Sequence, residues 1–186
     1  MSAETRTVNA GRNGIAQGVM VMTSFSLIWA VVAASAAPST VAVIALVVLA
    51  VAVTAAVAVT GLRLAARSAA RGTTRRVAAS SRRVFGLVNA GQTVLILIAV
   101  FGLVKAGRPA LVPAAVCFVV GLHFLPLARV FDVAVYWLTG GLLIAVGVVG
   151  AVVFAYDADN ALARTVVGLP AAVALWITSL LVARRG

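Results

Sequence analysis

TVAVIALVVLAVAVTAAVAVTGL, residues 40–62, decides the fold. These 23 residues carry no charged side chain and, apart from three threonines, no polar one. About 20 such residues cross the hydrocarbon core of a bilayer as a helix. In lipid every backbone N–H and C=O must pair internally, which leaves helices and closed barrels as the only spanning structures. Alanine, valine and leucine run here without a period of two, so the barrel pattern is absent and a helix is predicted.

Five more apolar runs lie on either side, at about 14–34, 84–104, 110–130, 133–155 and 162–183. The chain is 63% hydrophobic and only 10% charged, with a mean hydropathy of +1.16. A soluble domain carries about 25% charged residues, so lipid must be the solvent for most of this one. The expected fold is all-α, an integral membrane bundle of six transmembrane helices forming a single domain over residues 1–186. No domain boundary, long linker or convincing internal repeat is visible, which argues against a transporter built from inverted repeats.

Charge sets the expected orientation. Fifteen basic residues face four acidic ones, a net charge of +11. Seven fall in the connection 63–83: Arg63, Arg67, Arg71, Arg75, Arg76, Arg82 and Arg83. With that connection in the cytoplasm both termini are cytoplasmic too, and 12 basic residues lie inside against Lys105, Arg108 and Arg164 outside. This satisfies the positive-inside rule. The seven arginines are expected to contact anionic lipid headgroups, each contributing about 1 kcal/mol near the surface. Arg63, Arg67 and Arg71 recur every fourth residue, so the second helix is expected to continue beyond the membrane until Gly72-Thr73-Thr74. A docking surface for a cytoplasmic partner is the alternative use of this connection. Basic and aromatic residues do not interleave in any polar segment, so nucleic acid is not an expected partner.

Fourteen of the basic residues are arginine and one is lysine. With the alanine, valine and glycine excess, this points to a GC-rich bacterial genome and so to a bacterial cytoplasmic (inner) membrane. Arg6 and Arg12 precede the first run, and Ala34-Ser35-Ala36 resembles a signal cleavage site. The apolar stretch between them exceeds the 7–15 residues of a signal h-region, so a retained first helix is expected. Gly14 and Gly18, and the cluster Gly140, Gly141, Gly147 and Gly150, suit close helix packing, whether within one copy or in a homo-oligomer.

His123 is the only histidine, three residues before Pro126 in an apolar run, and an ionisable residue at membrane depth is a candidate site. It falls about six residues, roughly 9 Å, from the cytoplasmic end of the fourth span. Asn89 and Gln92 in the third span share a face and reach a similar depth. Gln17, Tyr136 and Thr139 also fall in the cytoplasmic half, which makes an inner-leaflet band of hydrogen-bonding groups. Pro126 cannot donate to the carbonyl of Leu122 and disturbs the turn holding His123. Three roles stay open for His123: interhelical glue, contact with a ligand or substrate, and proton-coupled work near its ordinary pKa of ~6.5.

Other chemistry finds no footing. One histidine, one cysteine (Cys117, read as a small packing residue) and no intramembrane carboxylate do not assemble a metal site. No hydroxyl is placed beside His123 for nucleophilic catalysis, so neither an enzyme nor a cofactor is expected. Trp29 and the Tyr136-Trp137 pair fit interfacial anchoring. Asp132 with Arg129 fits a helix-end pair, and Asp157 and Asp159 with Arg164 fit a solvated outer cap.

The run Gly121-Leu122-His123-Phe124, followed by Pro126-Leu127-Ala128, Phe131, Tyr136 and Gly140, resembles a segment of small uncharacterised bacterial multi-pass membrane proteins. In these an Asn-x-x-Gln pair lies in the preceding span, which Asn89 and Gln92 match. The likeness covers about residues 85–141, under a third of the chain. It implies that His123, Asn89, Gln92 and Tyr136 belong to one arrangement, and it implies no activity. The expected function is a polar inner-leaflet pocket around His123, lined by Asn89, Gln92, Tyr136 and Gln17, that binds or transports a small molecule or lipid. The alternative is a non-catalytic scaffold or accessory subunit whose intramembrane polar residues only lock helices together.

Overall fold

The computed structural model describes residues 3–70, 79–156 and 160–185, all helix and connecting turn, with no strand among them. Six α-helices follow in order: α1 Ala3–Ala34, α2 Thr40–Ala70, α3 Ala79–Lys105, α4 Val112–Phe131, α5 Ala134–Tyr156 and α6 Ala161–Arg185, with a 3-10 turn at Pro109–Leu111 before α4. Each contains a stretch long and apolar enough to cross a membrane, from Ala16–Ala34 in α1 to Ala161–Arg184 in α6. The architecture is that of a multi-pass membrane bundle.

Two helices outrun their apolar spans. α1 begins at Ala3 rather than near residue 14, because no proline interrupts the ladder before Pro38. Its end is closed by the Ser35 amide donating to Val31, and Ser39 then caps α2 by accepting from the Ala42 amide at 3.2 Å. α2 runs on to Ala70, eight residues past Leu62, as the arginine spacing predicts, and Arg63 and Arg67 are exposed on it. Arg83 is exposed at the start of α3. Arg71, Arg75 and Arg76, the segment Gly72–Thr74 and the Asp157–Asp159 pair lie outside the described residues, as do the side chains of Arg6, Arg12 and Arg82 and the surroundings of Gly14.

α6 is the hub, packing against α1, α2, α5 and, less extensively, α4. α4 and α5 form the tightest pair, and among the described residues α3 packs chiefly on α4, with the 3-10 turn beside it. α2 and α3 are consecutive in sequence but flank different parts of the bundle. α1 contributes Val19, Trp29 and Ala34 to the interior, each at most 3% exposed, so it is an integral helix of the bundle.

The α4–α5 contact is made backbone to backbone. A Cβ on Gly121 would stand 2.8 Å from the Gly140 carbonyl oxygen and 2.7 Å from the Ile144 nitrogen, and a Cβ on Gly140 would stand 2.8 Å from the Gly121 oxygen. Two turns further on, a Cβ on Gly147 would press on the Ala114 oxygen and the Phe118 nitrogen, both at 2.8 Å. α1 and α6 meet likewise at Gly168, where a Cβ would lie 2.6 Å from the Trp29 oxygen. Gly150 faces Val167 of α6, whereas a Cβ on Gly18 or Gly141 would meet nothing within 4 Å. The glycine cluster of α5 therefore divides into three packing positions and one lipid-facing one.

Gly121→Ala and Gly147→Ala should each destabilise the protein by about 1–3 kcal/mol, the usual cost of overpacking a close contact. Gly141→Ala should be neutral or gain up to ~1 kcal/mol from helix propensity. Thermal unfolding in detergent, followed by circular dichroism, checks the contrast; equal effects at all three positions would refute the backbone contact.

Candidate functional site

Along α3 the partly buried positions are Val88, Asn89, Gln92, Ile96, Ala99, Val100 and Leu103, a stripe at helical spacing of three and four. Since α3 packs chiefly on α4, this stripe is its α4-facing side. Asn89 and Gln92 thus face the helix that carries His123. The interface is closed toward one end by Phe85 against Phe131, with ring centroids 5.9 Å apart and edge to face.

His123 is half-buried in this interface. Its imidazole lies against the backbone of Val88, and its Nδ1 is buried with no hydrogen-bond partner. No hydrogen bond joins it to Asn89, Gln92 or Tyr136 among the described residues. Tyr136 is buried on α5 and meets the Phe124 ring edge-on at 5.4 Å; His123 meets the same ring at 6.0 Å. His123 and Tyr136 thus share an aromatic neighbour and no hydrogen bond. Gln17 is exposed on α1, whose packing partners are α2 and α6, so it is not brought to His123. Similar depth does not put two side chains on facing sides of their helices.

The other buried polar groups are mostly satisfied locally. Ser26 donates to the Met22 carbonyl at 2.7 Å and Thr23 to the Val19 carbonyl at 2.8 Å. Thr139 and Thr178 meet across α5 and α6 at 2.7 Å, one hydroxyl donating to the other while the accepting one donates to the carbonyl one turn back on its own helix. The Trp176 indole donates to Thr54 at 3.2 Å and ties α6 to α2. These two pairs join α5 to α6 and α2 to α6. Thr54, Trp176 and Thr178 went unmarked in the sequence, where only matching depth in apolar spans could have suggested them. The Trp29 indole nitrogen and the Ser179 hydroxyl are buried without partners, as is the Arg164 Nε.

Cys117 is buried and its thiol approaches the Leu143 carbonyl at 3.4 Å, as suits a packing residue. No group of three metal-ligating side chains occurs among the described residues. The Arg129 guanidinium sits over the Trp137 ring, 4.6 Å from its centroid, a cation–π contact at the α4–α5 turn. Asp132 closes α4 in the left-handed conformation, φ 53°. Comparison with protein-family models, curated proteins and solved structures gave no match.

Thr178→Val should lower stability by about 0.6–1.7 kcal/mol, the range for hydrogen bonds between membrane helices. If Thr139 and Thr178 act as one pair, a double-mutant cycle with Thr139→Val should give a coupling energy of similar size. Additive losses would show that each hydroxyl serves only its own helix.

Proposed function

We propose that the chain is a small multi-pass protein of a bacterial cytoplasmic membrane that binds, or passes, a small molecule or lipid where α3 meets α4. His123 makes the central contact, with Asn89 and Gln92 on the opposing helix. The observation that carries this reading is the buried, unpartnered Nδ1 of His123. Leaving such a group unmade costs about 1–3 kcal/mol, and more where no water is at hand. A ligand group at that nitrogen removes the cost. The rival reading, a histidine that locks α3 to α4 through the Val88 backbone, leaves the buried Nδ1 without a partner. That α3 packs chiefly on α4 favours access from the side, since this interface parts without disturbing the α1–α6 or α4–α5 contacts. The resemblance over residues 85–141 groups the same His, Asn and Gln. Tyr136 shares the Phe124 ring with His123, and Gln17 has no part in the site.

The test is the content of the purified protein. Small molecules and lipids released from the wild type by solvent extraction should include a species missing from His123→Ala and from Asn89→Ala/Gln92→Ala, while circular dichroism stays unchanged. Identical extracts with a lowered melting temperature would sink the ligand reading and return His123 to a structural role.

The orientation that goes with this reading puts Arg63, Arg67, Arg83, Arg129 and Arg184 at the cytoplasmic face, and Lys105, Arg108 and Arg164 at the outer face. In a Cys117→Ala background, Lys105→Cys should react with a membrane-impermeant maleimide in intact cells, and Arg67→Cys only after lysis. The reverse pattern would invert the topology.

A further inference from the structure

In the half of the bundle away from the arginine-rich end, α3, α4 and α5 part to leave an open cleft of about 290 Å³. Its walls are Leu103 of α3, Ala115, Phe118 and Val119 of α4, and Val148 and Ala151 of α5. None has a polar side chain. The cleft follows from the packing already described. Gly147 draws α5 against the α4 backbone behind it, the small side chains of Ala115 and Ala151 leave volume in front, and α3 packs chiefly on α4.

At ~30 Å³ for a water-sized group, the volume suits roughly ten such groups, yet water needs two to four polar partners and finds none here. An apolar chain of about ten carbons fits both the size and the lining. At the rim, the turn between α3 and the 3-10 helix is pinned by the Ala106 amide donating to Gly102 at 2.9 Å and the Arg108 amide donating to Leu103 at 2.8 Å. This turn carries Lys105 and Arg108, both exposed and neither in an ion pair among the described residues. Lys105 follows the cleft-lining Leu103 by two residues and Arg108 precedes the cleft-lining Leu111 by three. The apolar slot therefore adjoins a turn with two cations, which matches a molecule with a hydrocarbon tail and an anionic head.

We propose that this cleft holds one acyl chain of an anionic phospholipid, with its phosphate headgroup at Lys105 and Arg108. The site is independent of the reading given to His123. It differs from general lipid contact because a walled slot and a charge pair act on the same molecule. Arg63, Arg67 and Arg83 lie at the other end of α2 and α3 and take no part.

Photo-crosslinking with phosphatidylglycerol carrying a diazirine in its acyl chain, on wild-type protein in nanodiscs, tests the slot. Peptides containing Phe118–Val119 and Val148–Ala151 should be labelled above the exposed α2 face, and the phosphatidylcholine analogue should label them less. Uniform labelling of all exposed faces, or equal labelling by the two lipids, would overturn the proposal. Native mass spectrometry of the double variant Lys105→Gln/Arg108→Gln should show the preference for phosphatidylglycerol over phosphatidylcholine falling about 30-fold, the effect of two cations at ~1 kcal/mol each. An unchanged preference would equally overturn it. Ala115→Phe should abolish chain labelling at Val148–Ala151; labelling that persists in a folded Ala115→Phe protein would place the lipid outside the cleft.

Discussion

The bundle depends on how closely the backbones of α4 and α5 approach at Gly121, Gly140 and Gly147. No hydrophobic drive pulls helices together in lipid, since the tails are as apolar as the side chains. Packing and interhelical hydrogen bonds must do that work, and both grow as backbones come closer. The reciprocal fit of Gly121 and Gly140, each facing the other's carbonyl oxygen, fixes the lateral position of α4. That in turn brings the Phe124 ring to Tyr136 and sets His123 against the Val88 backbone of α3. The same close contact at Gly147 shapes the rear wall of the cleft under Lys105 and Arg108.

Side-chain chemistry divides the polar residues of the interior into two kinds. A serine or threonine hydroxyl can turn back to the carbonyl a turn earlier, as Ser26 and Thr23 do, and this costs the bundle little. An imidazole or indole cannot reach its own helix backbone in that way. Trp176 finds Thr54, whereas Trp29 and His123 keep a buried nitrogen unpartnered. Ser179 Oγ and Arg164 Nε are left likewise, and of these groups His123 is the one whose neighbouring helix also brings an amide pair to the same interface.

Most of the fold was legible because length and apolarity are local properties. The six spans fall within a few residues of the apolar runs, and the extension of α2 past Arg67 follows from the four-residue arginine spacing. Asn89 and Gln92 were legible as a pair because three residues apart on a helix means one face. What depth along a helix does not encode is direction around it. Gln17 and Tyr136 share the level of His123 yet point elsewhere, and Gly141 sits among packing glycines but faces outward. The order in which helices neighbour each other was hidden as well. Nothing in the run around α3 reveals that it packs chiefly on α4, and nothing near Thr139 names Thr178, 39 residues on, as its partner.

The partnership of α1 with α6 sets a timetable for biosynthesis. α1 ends at Ala34 and α6 begins at Ala161, so at 5–20 residues per second the ribosome delivers the second face roughly 6–25 s after the first. The α4–α5 hairpin has no such delay, because its two halves emerge back to back. For the interval, the surface of α1 that will meet α6 has only lipid and α2 for company. A polar residue there that relied on α6 would spend that time unsatisfied in hydrocarbon. Thr23 and Ser26 avoid this by bonding to α1 itself, so these hydroxyls are already satisfied when the helix enters the membrane and can wait for its last neighbour.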